Sequence, residues 1–105
     1  MLAKPMYAKE LVSRYAAGQR DFRNLNLIAA NLRNINLSGA NLSGTNLAKA
    51  NLSNSNLSRA NLSDTVLMGA NLANTDLTQA NLTNVNLEEV DLSAAIVRNT
   101  TFSPT

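Results

Sequence analysis

Apolar residues return at every fifth position through most of this chain. Leu occupies each of these positions from Leu27 to Leu92, with Phe22 before them and Val97 and Phe102 after them. Asn or Asp precedes the leucine in every unit of that run except the one that holds Val66. A register kept without a gap over fourteen leucines points to a repeat architecture.

A single helix or a single strand cannot place these leucines on one face. A five-residue step turns an α-helix by about 140°, so the leucines would spread around its whole circumference. Side chains of a strand alternate with a period of two, so an odd repeat would send successive leucines to opposite faces. Each unit must therefore form a short extended run followed by a corner. The chain is predicted to be an all-β solenoid with every central leucine inside.

The residue two places before each leucine indicates how many units make one coil. It is Ala at alternate units, from Ala30 to Ala80, and a bulkier or hydroxylated residue at the units between them. Because like residues stack on like, a coil needs an even number of units. Two units cannot enclose a core, and six would leave a void that Leu and Ala cannot fill. Four units remain, which makes twenty residues per coil. The predicted core is Leu27, Leu32, Leu37, Leu42, Leu47, Leu52, Leu57, Leu62, Leu67, Leu72, Leu77, Leu82, Leu87 and Leu92.

These units resemble the A-(N/D)-L-x-x motif of the pentapeptide-repeat family, and the resemblance covers the chain from about Arg20 to Phe102. It implies a right-handed quadrilateral β-helix of about four coils, with the central residue and the residue two before it facing inward. The family includes inhibitors of DNA gyrase that imitate duplex DNA with an acidic rod. The resemblance is one of fold, and a fold does not by itself define a function.

The N-terminal segment lacks the repeat and is predicted to form a short capping helix, similar to the cap of cyanobacterial members of the family. Pro5 suits the first turn of a helix, and Gly18 suits its end. Tyr7, Leu11 and Tyr15 recur four apart, which places them on one helix face. We expect the two tyrosines to cover the open top of the leucine column. A binding pair of aromatic residues is the alternative.

The composition favours one narrow domain without catalytic chemistry. The chain has 105 residues, divided into a capping helix at residues 1–19 and a β-helix at residues 20–105. It contains no Cys and no His, which removes disulfides, thiolate and imidazole ligands and the usual nucleophile and base pairs. Its acidic residues have no acid, base or nucleophile partner in a concave site. We therefore expect no enzyme activity, no cofactor, and neither a metal site nor a catalytic site.

Charge and hydropathy restrict the partners. The chain has no signal-peptide run and no stretch of about twenty apolar residues, so we expect a cytoplasmic protein without membrane contact; a lumenal or periplasmic mature form stays open. Residues 1–60 carry eight basic and two acidic residues, a balance of +6, whereas residues 61–105 carry one and five, a balance of −4. The basic residues are dispersed and lack interleaved aromatics, so direct nucleic-acid binding fits poorly.

One outward wall differs from the other three, which carry mainly small hydroxylated residues. With twenty residues per coil, Val66, the exception at the Asn/Asp position, lies beside an exposed Met68. An exposed apolar cluster marks a contact site for a partner, and scattered apolar residues of no special role are the alternative. The predicted partner surface consists of Ile28, Ala48, Lys49, Val66, Met68 and Glu88.

The C-terminal end has no capping helix in its sequence. Ile96 takes an outward position usually held by Asn or Asp, and Val97 and Phe102 lie near the rim of the last coil. These three residues form a predicted homodimer contact, since some members of the family pair through their C-terminal coils. The alternative is that the tail from Pro104 onward folds over the end of the column.

Two functions from different classes follow. The preferred one is a non-enzymatic structural or protein-interaction module, a rigid β-helical rod that presents the wall of Val66 and Met68 to an unknown protein partner. The alternative is a DNA-mimicking regulator of DNA gyrase or topoisomerase. The net charge of +2 and the confinement of most acidic residues to one end argue against that alternative.

Overall fold

The computed structural model describes residues 6–103, so Pro5 and Pro104 lie outside the described residues. Helix α1, Ala8–Ala16, comes first, and a stack of short extended segments joined by corners follows it. Within this range no helix is long and apolar enough to traverse a membrane. Parallel bridges join residues twenty apart, as between Asn41 and Asn61. The chain is therefore a solenoid with a twenty-residue step.

Backbone hydrogen bonds hold neighbouring coils together. The N–H of Leu42 donates to the C=O of Asn61 at 2.8 Å, and the N–H of Asn61 donates to the C=O of Ala40 at 2.9 Å. Strands β1 (Asn81–Leu82) and β2 (Thr101–Phe102) continue this pairing in parallel near the C-terminal end. Each such bridge fixes the height of one coil above the next.

Each corner is a four-residue turn. In one of them the N–H of Ala60 donates to the C=O of Leu57 at 3.1 Å, and the third residue, Arg59, has a φ of 60°. A positive φ at this place is what type II turns require, and Gly or Asn adopts it at least cost. Most units do carry Asn or Gly there, which explains a polar feature that the leucine pattern alone does not require.

The core of the solenoid is the leucine column. Phe22 and the leucines from Leu27 to Leu82 leave at most 2% of their surface exposed. Leu87 and Leu92, which were expected in the same column, are only partly buried. They belong to the last coil, and no further coil among the described residues covers them.

The hydroxylated residues of the inner column are buried because each hydroxyl finds a backbone acceptor. The hydroxyl of Thr75 donates to the C=O of Leu52 at 2.7 Å, and that acceptor lies in the preceding coil. Ser55 makes the same contact with the C=O of Leu32 at 2.5 Å. These hydrogen bonds link neighbouring coils from inside the column.

Helix α1 packs on the first coil chiefly through Leu11, which is fully buried. The prediction that both tyrosines cover the column was wrong for Tyr7, which is 75% exposed because it precedes α1 in extended conformation. Tyr15 is partly buried, and its hydroxyl donates to the C=O of Ser38 at 2.6 Å. The guanidinium of Arg20 lies 3.6 Å from the centre of the Tyr15 ring. Leu11 and Tyr15 together attach the helix to the solenoid.

Candidate partner-binding surface

Three successive coils lie in register on the wall that contains Val66. Parallel bridges run from Asn26 to Asn46 and from Asn46 to Val66. Because the bridges stack, the outward residues two places after each of these also stack in one column. We call this surface the Val66 wall, and it consists of Ile28, Ala48, Val66 and Met68.

The Val66 wall exposes an apolar stripe. Ile28 is 50%, Val66 44% and Met68 47% exposed. Ala48 lies between Ile28 and Met68, so no polar side chain of this column interrupts the stripe. Neighbouring coils are about 4.8 Å apart, so Ile28 and Met68 are separated by about 10 Å along the solenoid axis.

The unit of Val66 lacks a hydrogen bond that the other units from Asp21 to Asp91 make. Every Asn or Asp at this position from Asp21 to Asp91 accepts a hydrogen bond at its Oδ1 from the backbone N–H two residues later. Val66 has no side-chain acceptor, and no atom of residues 6–103 accepts a hydrogen bond from the N–H of Met68. Between Asp21 and Asp91, the unit that lacks this turn contact is therefore also a unit with two exposed apolar side chains, Val66 and Met68.

Grooves border the Val66 wall at both ends. The one on the C-terminal side has a volume of about 290 Å³ and is lined by Asp64, Thr65, Val66, Leu67, Met68, Asn84 and Asn86. The one on the N-terminal side has a volume of about 540 Å³ and lies between the start of α1 and the first coil. Its lining residues are Met6, Tyr7, Ala8 and residues 26–31. The stripe therefore has concave surfaces beside it, into which partner side chains could reach.

Glu88, a member of the predicted partner surface, lies on a segment that is out of register with the coil before it. The N–H of Lys49 donates to the C=O of Met68 at 2.9 Å, in register with the earlier coils. One coil later, the N–H of Gly69 donates to the C=O of Glu89 at 3.2 Å, one residue beyond the position that the register requires. Glu88 therefore lies on a displaced segment, whereas the other five residues of the predicted surface belong to coils that keep the register.

The carboxylates of the repeat occupy the same turns as the asparagines. The hydroxyl and the N–H of Thr78 donate to Oδ1 of Asp76 at 2.6 and 2.9 Å. These bonds, and to a smaller extent the charge of Arg98, hold the pKa of Asp76 below its usual value. Hydrogen bonds from Ser93 lower the pKa of Asp91 in the same way. Across residues 6–103, no group of three or more His, Cys, Asp or Glu side chains is placed to hold a metal ion.

The predicted homodimer contact lies at the C-terminal end of the solenoid. Ile96, Val97 and Phe102 are 38%, 46% and 36% exposed. Ile96 pairs with Asp76 of the preceding coil, and Phe102 with Leu82, so their backbone positions are fixed. The three side chains are thus partly exposed at this end of the solenoid.

The twenty-residue bridges, the inward leucines and the corner turns define a parallel β-solenoid. The family model for pentapeptide repeats matches residues 26–64 and 65–103, with eight copies of the repeat. The chain belongs to the pentapeptide-repeat family, whose members form right-handed quadrilateral β-helices, and the resemblance seen in the sequence is confirmed. Comparison with curated proteins found no match.

Solved structures of cyanobacterial pentapeptide-repeat proteins are similar to this chain. HetL from Nostoc sp. strain PCC 7120, described as involved in heterocyst differentiation regulation, is 38% identical over 76% of this chain, with a TM-score of 0.50. This chain spans 36% of the length of HetL. The protein alr5209 from Nostoc PCC 7120 is 34% identical; the match covers 100% of this chain and 90% of alr5209, with a TM-score of 0.58. Rfr23 from Cyanothece 51142 is 39% identical over 78% of this chain and 63% of its own, with a TM-score of 0.43.

Proposed function

We propose that this protein is a non-enzymatic interaction module, a rigid rod of about four coils that is closed at its N-terminal end by α1 and presents the Val66 wall to a protein partner. The observation that carries the proposal is the Val66 side chain, which is 44% exposed where every other unit from Asp21 to Asp91 holds a turn-capping Asn or Asp. A residue that gives up a local stabilising contact without gaining burial is typical of a functional surface. An exposed apolar stripe beside it strengthens that interpretation.

The shape of the wall suggests the chemistry of the partner. Ile28, Ala48 and Met68 are held at the fixed spacing of the coils, so the partner must present apolar side chains to a rigid stripe. Met68 has an unbranched and polarizable side chain, which adapts to the shape of a contacting surface. The groove of about 290 Å³ beside it is large enough for one such side chain of the partner.

The relatives support an interaction role. HetL is described as involved in heterocyst differentiation regulation, and it is a pentapeptide-repeat protein like this chain. Regulation through a repeat solenoid fits binding to another protein better than it fits catalysis. This chain spans 36% of HetL, so the role of that longer protein is not transferred whole.

The proposal is tested by converting the unit TVLMG into TNLSG with the double substitution Val66→Asn and Met68→Ser. This restores the residue types of Asn61 and Ser63, so the fold is expected to be kept while the apolar stripe is lost. Ala73→Ser, at the equivalent position of the next wall, is the matched control. Affinity capture from the native host, followed by titration of the captured partner with purified protein, should show binding by the wild type and the control only. Full binding by the double variant would contradict the proposal.

The same purified proteins also test the alternative function. Inhibition of DNA gyrase supercoiling by wild-type protein at stoichiometric amounts would replace the interaction module with the DNA-mimicking regulator. We expect no inhibition, since the chain has a net charge of +2 and does not present a continuous acidic rod.

We also propose that two copies pair through Ile96, Val97 and Phe102, because these partly exposed residues lie together at one end of the solenoid. Sedimentation velocity should show a concentration-dependent dimer for the wild type and a monomer for Val97→Asp. A monomer at every concentration of the wild type would remove this contact from consideration.

A further inference from the structure

Two consecutive units near the C-terminal end, residues 85–89 and 90–94, lack the backbone bridges that join the other units to the preceding coil. Val66 and Asn71 each pair with the residue twenty positions earlier, but within residues 6–103 neither pairs with the residue twenty positions later. The units on either side remain paired, Asn61 with Asn81 and Asp76 with Ile96. We call the gap between residues 65–72 and residues 86–92 the open seam.

The hydrogen bonds at the corners show the same displacement. In the closed coils the acceptor lies nineteen residues after the donor, as in the bond of 2.9 Å from Asn54 to Ala73. Across the open seam the acceptor lies twenty residues after the donor, as in the bond of 2.8 Å from Asn74 to Ala94. Residues 86–94 therefore stay attached at their corners while their extended segments have moved away.

The displacement opens space between the two coils without uncovering the core beneath, since Leu67 and Leu72 remain at most 2% exposed. The seam contains the groove beside Val66 and a smaller cavity of about 100 Å³ beside Asn71. The N–H groups of Leu67 and Leu72 make no hydrogen bond among the described residues, whereas the N–H of Leu47 donates to Val66 at 2.8 Å.

The two units displaced across the open seam, residues 85–89 and 90–94, are the two that begin with valine. Val85 begins the first and Val90 the second, and every unit whose bridge to the preceding coil is present begins with Ala, Ser or Thr. The first coil carries Leu25 and Ile35 at this position, but it has α1 rather than another coil before it.

The chemistry of this inner position explains the difference. The hydroxyls of Thr45, Ser55, Thr75 and Thr100 donate to the C=O of the residue 23 positions earlier, at 2.5 to 3.0 Å, whereas the hydroxyl of Thr65 donates to the C=O of Leu62 at 2.8 Å. At Val85 a valine methyl cannot donate, and its carbon needs about 3.3 Å or more from a carbonyl oxygen. At Val90, where the preceding coils hold Ala50 and Ala70, both methyl groups are additional volume. Because the interior is close-packed, the excess distance moves the coil and not the side chain.

We propose that Val85 and Val90 act as wedges, and that residues 86–94 form a strap that opens and closes while the rest of the solenoid stays paired. The closed form would contain the missing bridges of Val66 and Asn71 and would remove the groove beside the Val66 wall. The strap therefore controls whether the C-terminal border of that wall is accessible. The proposal does not require a partner, because it concerns the isolated protein.

The test is amide hydrogen exchange, resolved by residue with NMR. In the wild type, the amides of Leu67 and Leu72 should exchange at least about tenfold faster than those of Leu47 and Leu52, which are the same positions one coil earlier. The double substitution Val85→Thr and Val90→Ala restores the residue types of the preceding coil and should remove this difference. Val12→Thr makes the same chemical change at an exposed position of α1, outside the seam, and it should leave the difference unchanged.

Two results would overturn the proposal. One is equal protection of Leu67 and Leu47 in the wild type, which would mean that the seam is closed in solution. The other is a double variant that folds and still exchanges quickly at Leu67 and Leu72, which would mean that the valines do not hold the seam open. Neither result depends on whether the Val66 wall binds a partner.

Discussion

Asn46 accepts a hydrogen bond of 3.0 Å at its Oδ1 from the backbone N–H of Ala48, and Val66, one coil later, cannot accept the same bond from Met68. Replacing Val66 by Asn should therefore raise the free energy of unfolding by about 0.5–1.5 kcal/mol, the usual net contribution of one hydrogen bond. Urea denaturation of the wild type and the variant measures the change.

Asn46→Val is the matched control, because it removes the bond from a unit that has it. The control should lower the free energy of unfolding by a similar amount. If Val66→Asn proved no more stable than the wild type, the missing turn contact would not be a cost, and the argument that Val66 is kept for function would lose its basis.

The pattern of the sequence predicts most of the fold because one geometric constraint governs it. A five-residue unit can place every leucine inside only if it turns a corner, and the column from Leu27 to Leu82 is buried as this requires. The exposure of Val66 and Met68 follows from the same periodicity. These features depend on the direction of side chains alone, which spacing determines.

Features that depend on distances of a few tenths of an ångström could not be predicted in the same way. Leu11 and not Tyr7 is buried against the column, because α1 begins only at Ala8 and Tyr7 precedes it in extended conformation. The displacement of Glu88 depends on a methyl group in place of a hydroxyl at Val85 and on two added methyl groups at Val90. The sequence does mark Val90 as unusual, because the equivalent residues of the earlier coils are Ala30, Ala50 and Ala70.

Thr75→Val should create a second open seam. The buried hydroxyl of Thr75 donates to the C=O of Leu52 at 2.7 Å, and a methyl group in its place would leave that contact repulsive. We expect the free energy of unfolding to fall by about 1–3 kcal/mol. The amide of Leu57, which donates to Asp76 at 2.8 Å, should lose its protection from hydrogen exchange.

Thr75→Ser keeps the hydroxyl and serves as the control for this change. It should retain the protection of the Leu57 amide, since Ser55 makes the same internal hydrogen bond. A Thr75→Val variant whose Leu57 amide remained protected would show that a methyl group is tolerated at this inner position.

Ala29→Asn should stabilise the first coil. Ala29 has a φ of 58°, a left-handed conformation that Asn34 adopts with a φ of 60° at the equivalent corner. Because Asn tolerates this conformation better than Ala, the free energy of unfolding should rise by roughly 1 kcal/mol. Thermal unfolding followed by circular dichroism measures the gain.

Gly69→Ala is the opposite change in the same column of corners. Gly69 has a φ of 72°, and an added Cβ would lie 3.3 Å from Cγ of Lys49. This variant should be less stable than the wild type. Equal stability of Ala29→Asn and the wild type, together with no loss in Gly69→Ala, would mean that the corners do not select their residues by conformation.

The stability of the solenoid should depend on pH through Asp76. An unfolded Asp has a pKa near 3.9, and the hydrogen bonds from Thr78 lower the pKa of Asp76 in the folded chain. The stabilisation by the charged carboxylate is therefore present above about pH 4 and is lost as the pH falls through the lower, folded pKa. Asp76→Asn keeps an Oδ1 acceptor for the N–H of Thr78, as Asn56 does for Ser58 at 2.9 Å, but it does not titrate.

We therefore expect wild-type protein to lose more stability than Asp76→Asn when the pH is lowered from 7 to 3. Urea denaturation of both proteins at the two pH values gives the comparison, and Asp21 and Asp91, whose pKa values are also lowered, contribute equally to both. Asp76 pairs with both Asn56 and Ile96, so its titration measures the stability of a part of the solenoid whose bridges are present. A difference in unfolding free energy between the two proteins that stayed constant from pH 7 to pH 3 would show that Thr78 does not favour the charged form.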